Sequence, residues 1–155
     1  MMEPIVNRKG DILLKFIHLA NEEAIEPRTH SPLVASLVVA EHEGKVLLVF
    51  NRKRQNWELP SGRIEADESP RDCAIRELFE ESGQSVNSLD FVGLAKIRVN
   101  NGNITFLAIY SVCLPVISVF QANEEIAMNT YWDFRSNIGY INEIDLSLAA
   151  LVISH

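Results

Sequence analysis

The sequence has little of what would cross-link it, anchor it to a membrane or hold it on a charged polymer. Only two cysteines, Cys73 and Cys113, occur in 155 residues. They have no metal or redox spacing, so disulfides are not expected and two free thiols fit a reducing compartment. The most apolar early run, residues 12 to 20, is interrupted by Lys15 and His18 and is too short to span a bilayer or serve as a signal segment. No membrane association is expected, and a cytoplasmic location follows by default. Positive charge is scarce as well: 14 Lys and Arg stand against 21 Asp and Glu, a net charge of -7. A protein that holds a nucleic acid polymer through its overall field needs the opposite balance, so no such polymer is expected as a partner. An anionic substrate would need a local positive device. Histidine is sparse too. His18, His30, His42 and His155 are scattered over the chain, with no nucleophile at a recognisable turn, which leaves Ser-His-Asp or Cys-His catalysis without support. No Walker-type loop, solenoid-period repeat or linker tract is present.

What is there is the raw material of one ordinary core. The chain is 47% hydrophobic and 23% charged, enough to bury a core without staples, and residues 1 to 155 read as one domain. Residues 12 to 19 read as a strand, and Pro27, His30, Ser31 and Pro32 break the chain after it. Residues 33 to 40 and 45 to 50 are almost wholly apolar around Glu43 and Gly44, which predicts a hairpin buried on both faces. Arg52, Lys53 and Arg54 form a basic loop. Residues 56 to 62 (N-W-E-L-P-S-G) carry Pro60 and Gly62, which should interrupt regular structure. Ser69 as N-cap, Pro70 at the first helical position and Gly83 past the end bracket a helix over Pro70–Ser82. Asn100-Asn101-Gly102-Asn103 predicts a hairpin between strands at 89 to 99 and 104 to 114. A strand at 126 to 134 and a helix at 142 to 153 complete the chain. Strands before, between and after two helices indicate an α+β arrangement with a mixed sheet flanked by helices.

The first helix carries the chemistry. At 100° per residue, Ala74, Ile75, Leu78, Phe79 and Ser82 share one arc, while Glu77, Glu80 and Glu81 share another. Glu77 faces both Glu80 and Glu81 at like-charge cost, and all three crowd the end of the helix where its dipole is already negative. A hard divalent cation supplies the missing compensation: Mg²⁺ or Mn²⁺ takes oxygen ligands and keeps positions open for water and phosphate. With no His or Cys at ligand spacing nearby, zinc is disfavoured.

From Gly62 to Gly83 the sequence G-R-I-E-A-D-E-S-P-R-D-C-A-I-R-E-L-F-E-E-S-G resembles the Nudix box, G-x5-E-x7-R-E-U-x-E-E-x-G-U, where U is aliphatic. Gly62, Glu68, Arg76, Glu77, Leu78, Glu80, Glu81 and Gly83 are in register with it, and W-E-L-P-S-G is similar to the family's W-x-x-P-G-G lead-in. Two positions depart: Gln84 stands where the pattern has an aliphatic residue, which bears on packing after the helix, and Ser61 replaces the first of the paired glycines.

The resemblance implies a Nudix α/β/α sandwich and hydrolysis of a nucleoside diphosphate linked to another group. By the same resemblance Glu77, Glu80, Glu81 and the Gly62 carbonyl would hold the divalent ions, and Glu68 and Arg76 would brace the loop against the helix. Glu77, then Glu81, are the candidates for activating water. The partner implied is a small nucleotide, in first place a nucleoside triphosphate cleaved MutT-like to monophosphate and pyrophosphate. Nucleotide sugars and dinucleoside polyphosphates stay open, and a homodimer is common in the family. Arg52 and Arg63 are candidates for contacting substrate phosphate. Glu124 and Glu125 lie where some members of the family bring a further Glu from a loop, but read first as a solvated turn; Trp57, Phe106, Tyr110 and Trp132 could stack on a base, but read first as core aromatics. Two rival readings are a Nudix-fold module that senses a nucleotide without cleaving it, and an interaction domain using the apolar side of the last helix at Leu146, Ala149, Leu151 and Val152.

Overall fold

The structure, a computed structural model, describes residues 3–153; His155 and the outer limits of the single-domain expectation lie outside the described residues. In chain order the elements are β1 (Ile5–Val6), β2 (Ile12–His18), β3 (Leu33–His42), β4 (Lys45–Asn51), β5 (Asn56–Glu58), β6 (Ser61–Arg63), α1 (Pro70–Ser82), β7 (Asp90–Arg98), β8 (Ile104–Cys113), β9 (Ile126–Trp132) and α2 (Glu143–Ile153). They form one mixed nine-stranded sheet, in the order β1-β2-β7-β8-β3-β4-β5, with β6 also on β3 and β9 also on β4. The β3–β8 pair is parallel, from Leu33 opposite Phe106 to Glu41 opposite Cys113.

Alternation along β3 builds two cores. Leu37 and Val39 join Val46, Leu48, Ile97 and Ile109 under α2, which adds Ile144, Leu148 and Ala149. Val38 and Ala40 face the other way, joining Leu47, Leu94, Ala108 and Tyr110 under α1, which adds Ala74 and Leu78. Successive residues of a strand point to opposite faces, so a wholly apolar run is what a sheet covered on both sides requires. The expected sandwich with a mixed sheet is the architecture observed. The apolar side of α2 is spent in this packing: Leu148 and Ala149 are buried, and Leu146 and Val152 pack against the same core. The docking face proposed for that helix is therefore largely absent.

The α1 boundaries are set by their caps. The Ser69 hydroxyl accepts from the Asp72 N–H at 3.0 Å, and Gly83, at φ 78°, donates its N–H to the Phe79 carbonyl, the left-handed C-terminal cap that glycine adopts readily. Asn142 caps α2 through its Oδ1, which accepts from Ile144 and Asp145 N–H groups.

The hairpin between β3 and β4 differs from expectation. Its turn forms, with Glu43 and Gly44 both at positive φ, but only Glu41–Val46 and His42–Lys45 pair across it. The strands then diverge, and the segment expected to be irregular fills the wedge as two short strands. β5 pairs with β4, β6 pairs with β3, and the Pro60 carbonyl between them accepts from the Val38 N–H. Pro60 lacks only a donor; its carbonyl serves the ladder, and the Leu59 N–H goes instead to the Asp145 carboxyl. Wedging this segment between two core strands fixes Ser61 and Gly62 against α1.

Candidate active site

Glu77 lies directly over Gly62. A Cβ built on that glycine would fall 2.2 Å from the Glu77 Cδ and 2.3 and 2.5 Å from its oxygens, so only a residue without a side chain lets this carboxylate approach the loop backbone. Glu81, one turn on, is buried and accepts from the Ser61 N–H at 2.9 Å. Burial pushes the Glu81 carboxyl up to about 9, and the charges of Glu125, Glu77 and Glu58 push in the same direction against the Ser61 N–H. Burial raises the Glu77 carboxyl too, although Arg76 opposes it. Two acids that resist ionisation beside a carbonyl-bearing loop are an oxygen-only donor set short of positive charge.

Arg76 ties the loop to the helix. It forms two hydrogen bonds to Glu68 at 2.7 and 2.9 Å, reaches the Arg63 carbonyl at 3.1 Å, and contacts Glu77 at 2.6 Å and Glu80 at 3.1 Å. Its hydrogen bonds hold the Glu68 carboxyl down at about 2, the placement a brace between loop and helix requires. Beneath the loop, Cys73 points its thiol at the Gly62 and Arg63 carbonyls, and burial raises that thiol to about 11, as befits a packing residue.

The three helix carboxylates do not gather equally. Glu77 and Glu81 meet the Ser61–Gly62 backbone, whereas the Glu80 side chain is 51% exposed and paired with Arg76. Among the described residues no three Asp, Glu, His or Cys side chains are grouped closely enough to hold a metal ion, and Arg76 Nη1 donates to both Glu77 and Glu80. The expected division of α1 into an apolar and a carboxylate arc is also shifted: Phe79 is 57% exposed while Glu81 is buried.

Beside Ser61 and Arg63 opens a cleft of about 710 Å³, whose wall includes Asn56, Glu58 and Asp145 and whose rim includes Arg8 and Lys9. Glu58 is buried, paired with Arg54 at 2.8 Å, and accepts a hydrogen bond from the Asn51 amide at 3.1 Å. Asp145 accepts from the Leu59 N–H at 2.9 Å, and burial, with the Glu58 charge adding to it, moves its carboxyl up to about 7. Arg8 stacks on the Tyr140 ring at 3.5 Å, while the Tyr140 hydroxyl donates to Glu143 and accepts from the Arg8 N–H at 3.0 Å.

Of the basic candidates, Arg63 lines this cleft and Arg52 does not; Arg52 is bound to the Asn123 and Glu125 carbonyls instead. Arg54, passed over in the sequence, is the one that reaches inward. Glu124 and Glu125 are on the surface as expected, but Asn123 donates to the Glu80 carbonyl at 3.1 Å, which brings the Glu125 charge to bear on Glu77 and Glu81. Gln84 acts in packing: its buried amide exchanges hydrogen bonds with both backbone groups of Ser118, at 2.9 and 2.8 Å. Ser61 needs no positive φ, so the missing glycine costs the loop nothing. The four aromatics are buried in the core.

Residues 30–129 match a family model described as NUDIX domain. A MutT-like protein of Streptomyces ambofaciens is 34% identical over 104 residues, covering 67% of this chain and 64% of that protein. An RNA pyrophosphohydrolase of Cereibacter sphaeroides is 36% identical over 81 residues, covering 48% of each chain. Each match spans less than two thirds of the relative. The crystal structure of a Bacillus subtilis pyrophosphohydrolase superposes with a TM-score of 0.71 at 19% identity, over 98% of this chain and 95% of that one, which is a likeness of fold.

Proposed function

The chain belongs to the Nudix family, and from that premise we propose that it is a divalent-metal-dependent pyrophosphohydrolase. Its substrate is a nucleoside diphosphate linked to another group, first a nucleoside triphosphate cleaved to monophosphate and pyrophosphate. The observation that carries this reading is the Glu77 carboxylate seated on Gly62, with Glu81 buried against Ser61, at the edge of a nucleotide-sized cleft.

Glu77, Glu81 and the Gly62 carbonyl, with Glu80 once Arg76 releases it, fit Mg²⁺ or Mn²⁺, since all four are oxygen donors. When bound, the ion neutralises the phosphates and lowers the pKa of a coordinated water. The rest falls to the chain. Arg63, at the junction of loop and cleft, meets phosphate oxygens. Arg76 orients Glu77 through one of its oxygens, and a Glu77 oxygen lone pair not engaged by the ion would take the proton as the water oxygen bonds to phosphorus and the bridging oxygen departs. Glu81 is second choice for that role, because Ser61 already engages one of its oxygens. Retention of all three helix carboxylates favours hydrolysis over nucleotide sensing, which has no use for so costly a cluster.

The test is release of phosphate and pyrophosphate from nucleoside triphosphates, nucleotide sugars, dinucleoside polyphosphates and a short 5′-triphosphorylated RNA, with Mg²⁺ or Mn²⁺ and with chelator. Turnover abolished by chelator is expected. No turnover on any substrate would leave the sensing module as the better reading.

A further inference from the structure

Arg54 carries a donor that its ion pair leaves unspent. Its Nε and Nη2 grip Glu58 at 3.1 and 2.8 Å, which commits one edge of the guanidinium. Nη1, whose two N–H groups are directed away from that edge, has no protein partner among the described residues. The side chain is 42% exposed and lines the cleft beside Ser61 and Arg63, and the charges of Glu81 and Glu125 reach it. Arg54 thus stands where the cleft meets the acidic end of α1.

Its position is fixed from several sides. The Arg54 N–H donates to the Asn51 Oδ1 at 2.9 Å, and the Asn51 amide donates to Glu58 at 3.1 Å, closing a ring of three residues. Gln55 ties down the turn that carries it, through its N–H to the Asn51 carbonyl at 2.8 Å and its amide to the Arg52 carbonyl at 2.6 Å. Glu58 itself is 4% exposed. A buried carboxylate in an ion pair gains a fold little over apolar packing of the same size, so the pair calls for another use, and what it does is hold the plane of an arginine on the cleft wall. A guanidinium already held loses little rotamer freedom on meeting a ligand. The rim cations are placed differently: Lys9 pairs with Asp11 at 3.9 Å, and Arg8 stacks on Tyr140.

We propose that Arg54 is a substrate-binding residue whose Nη1 donates to the phosphate that carries the nucleoside, with the nucleoside seated in the cleft and the next phosphate directed toward Gly62. This deepens the hydrolase reading and rests on it. The contact is a charge-assisted hydrogen bond to a phosphate oxygen, made whichever base is attached. Glu58 acts through Arg54 as its positioning residue.

The test is calorimetric affinity for adenosine, guanosine, cytidine and uridine 5′-monophosphates, none of which has a phosphoanhydride to cleave, with chelator present so that no metal bridges them to the protein. Wild type is compared with Arg54→Gln and with the double variant Arg54→Gln/Glu58→Gln. Affinity for the monophosphate that the wild type binds best is expected to fall at least tenfold in both variants, and kcat/KM for the corresponding triphosphate to fall by as much. Tm separates the contact from a structural role. Arg54→Gln leaves Glu58 buried without its counter-ion and should lower Tm, whereas the double variant removes that charge and should regain Tm while its affinity stays low. Affinity that returns together with Tm would make Arg54 only the counter-ion of Glu58 and overturn the assignment. A loss of less than tenfold in the double variant, or a wild type that binds no monophosphate, would also overturn it. If Arg54→Gln does not fold, the double variant decides. If the wild type binds monophosphates but hydrolyses nothing, the hydrolase reading fails while these affinities still decide the role of Arg54.

Discussion

Gly62→Ala should separate activity from stability in this protein. The added Cβ would lie 2.2 Å from the Glu77 Cδ, where an ordinary carbon contact is about 3.5 Å, so the carboxyl must retreat by roughly 1.3 Å. Glu77 presents the flexible end of its side chain, and Gly62 does not need a positive φ, so the strand tolerates the methyl. Removing a glycine from the unfolded ensemble contributes about 0.4 to 1 kcal/mol, comparable to what the partly exposed Arg76–Glu77 contact gives up. Tm should therefore move by no more than a few degrees. A displacement of about 1 Å in a reacting group can cost about 10²-fold, and kcat/KM should fall by that order. The assay is steady-state hydrolysis with saturating Mg²⁺, run as a double-mutant cycle with Glu77→Gln, itself expected to lower kcat at least ~10²-fold. In that background Gly62→Ala should add less than threefold, since the carboxylate it displaces is already disabled. Wild-type kcat/KM in Gly62→Ala, or full additivity in the cycle, would refute the placement of Glu77 over the loop.

Two further outcomes follow from the same geometry. Gly93→Ala should behave oppositely to Gly62→Ala, because its Cβ would meet the Ile17 carbonyl oxygen at 2.1 Å; backbone cannot swing aside, and chemical denaturation should show a loss of about 1 to 3 kcal/mol. Asp145 keeps its proton to about pH 7 in the fold but gives it up near 3.9 when unfolded. The folded state thus binds more protons between pH 4 and 7, and the contribution of this residue to stability declines as pH rises through that window, by at most about 1.4 kcal/mol per unit. Asp145→Asn, which can still accept from Leu59, should lose that slope and exceed the wild type in urea midpoint at pH 8; parallel profiles would contradict the burial argument.

The parts of the fold that local chemistry decides were legible in the sequence. Ser69, Pro70 and Gly83 bracket α1 because capping is settled within four residues, and Asn100 to Asn103 mark the β7–β8 turn for the same reason. Pairings between distant segments were not legible. The turn at Glu43–Gly44 suggested a full hairpin, yet β3 spends most of its edges on β8 and β6, and β4 on β9 and β5. Helical periodicity separated two arcs of α1 but could not say that the loop bearing Ser61 would cover Glu81 and leave Phe79 outside. The helix half of the candidate site is a contiguous motif and could be read. The cleft half could not, since Arg8, Asn56, Tyr140 and Asp145 belong to separate segments and carry no shared signal. Arg63 was legible because it directly follows Gly62, and Asn56 and Glu58 stood within reach just upstream, where the polar residues of N-W-E-L-P-S-G lie inside an otherwise apolar stretch.

The splayed β3–β4 pair has a consequence for the order in which the molecule comes together during synthesis. The strands that clasp the glycine loop find their long partners only in β8 and β9, roughly seventy to ninety residues downstream. Closing such distant pairs is entropically slow, so a growing chain that has emerged only as far as α1 holds its acidic helix with no completed sheet beneath it. Competence for chemistry therefore waits until β8 and β9 have emerged to complete the sheet and α2 has docked on the face opposite α1.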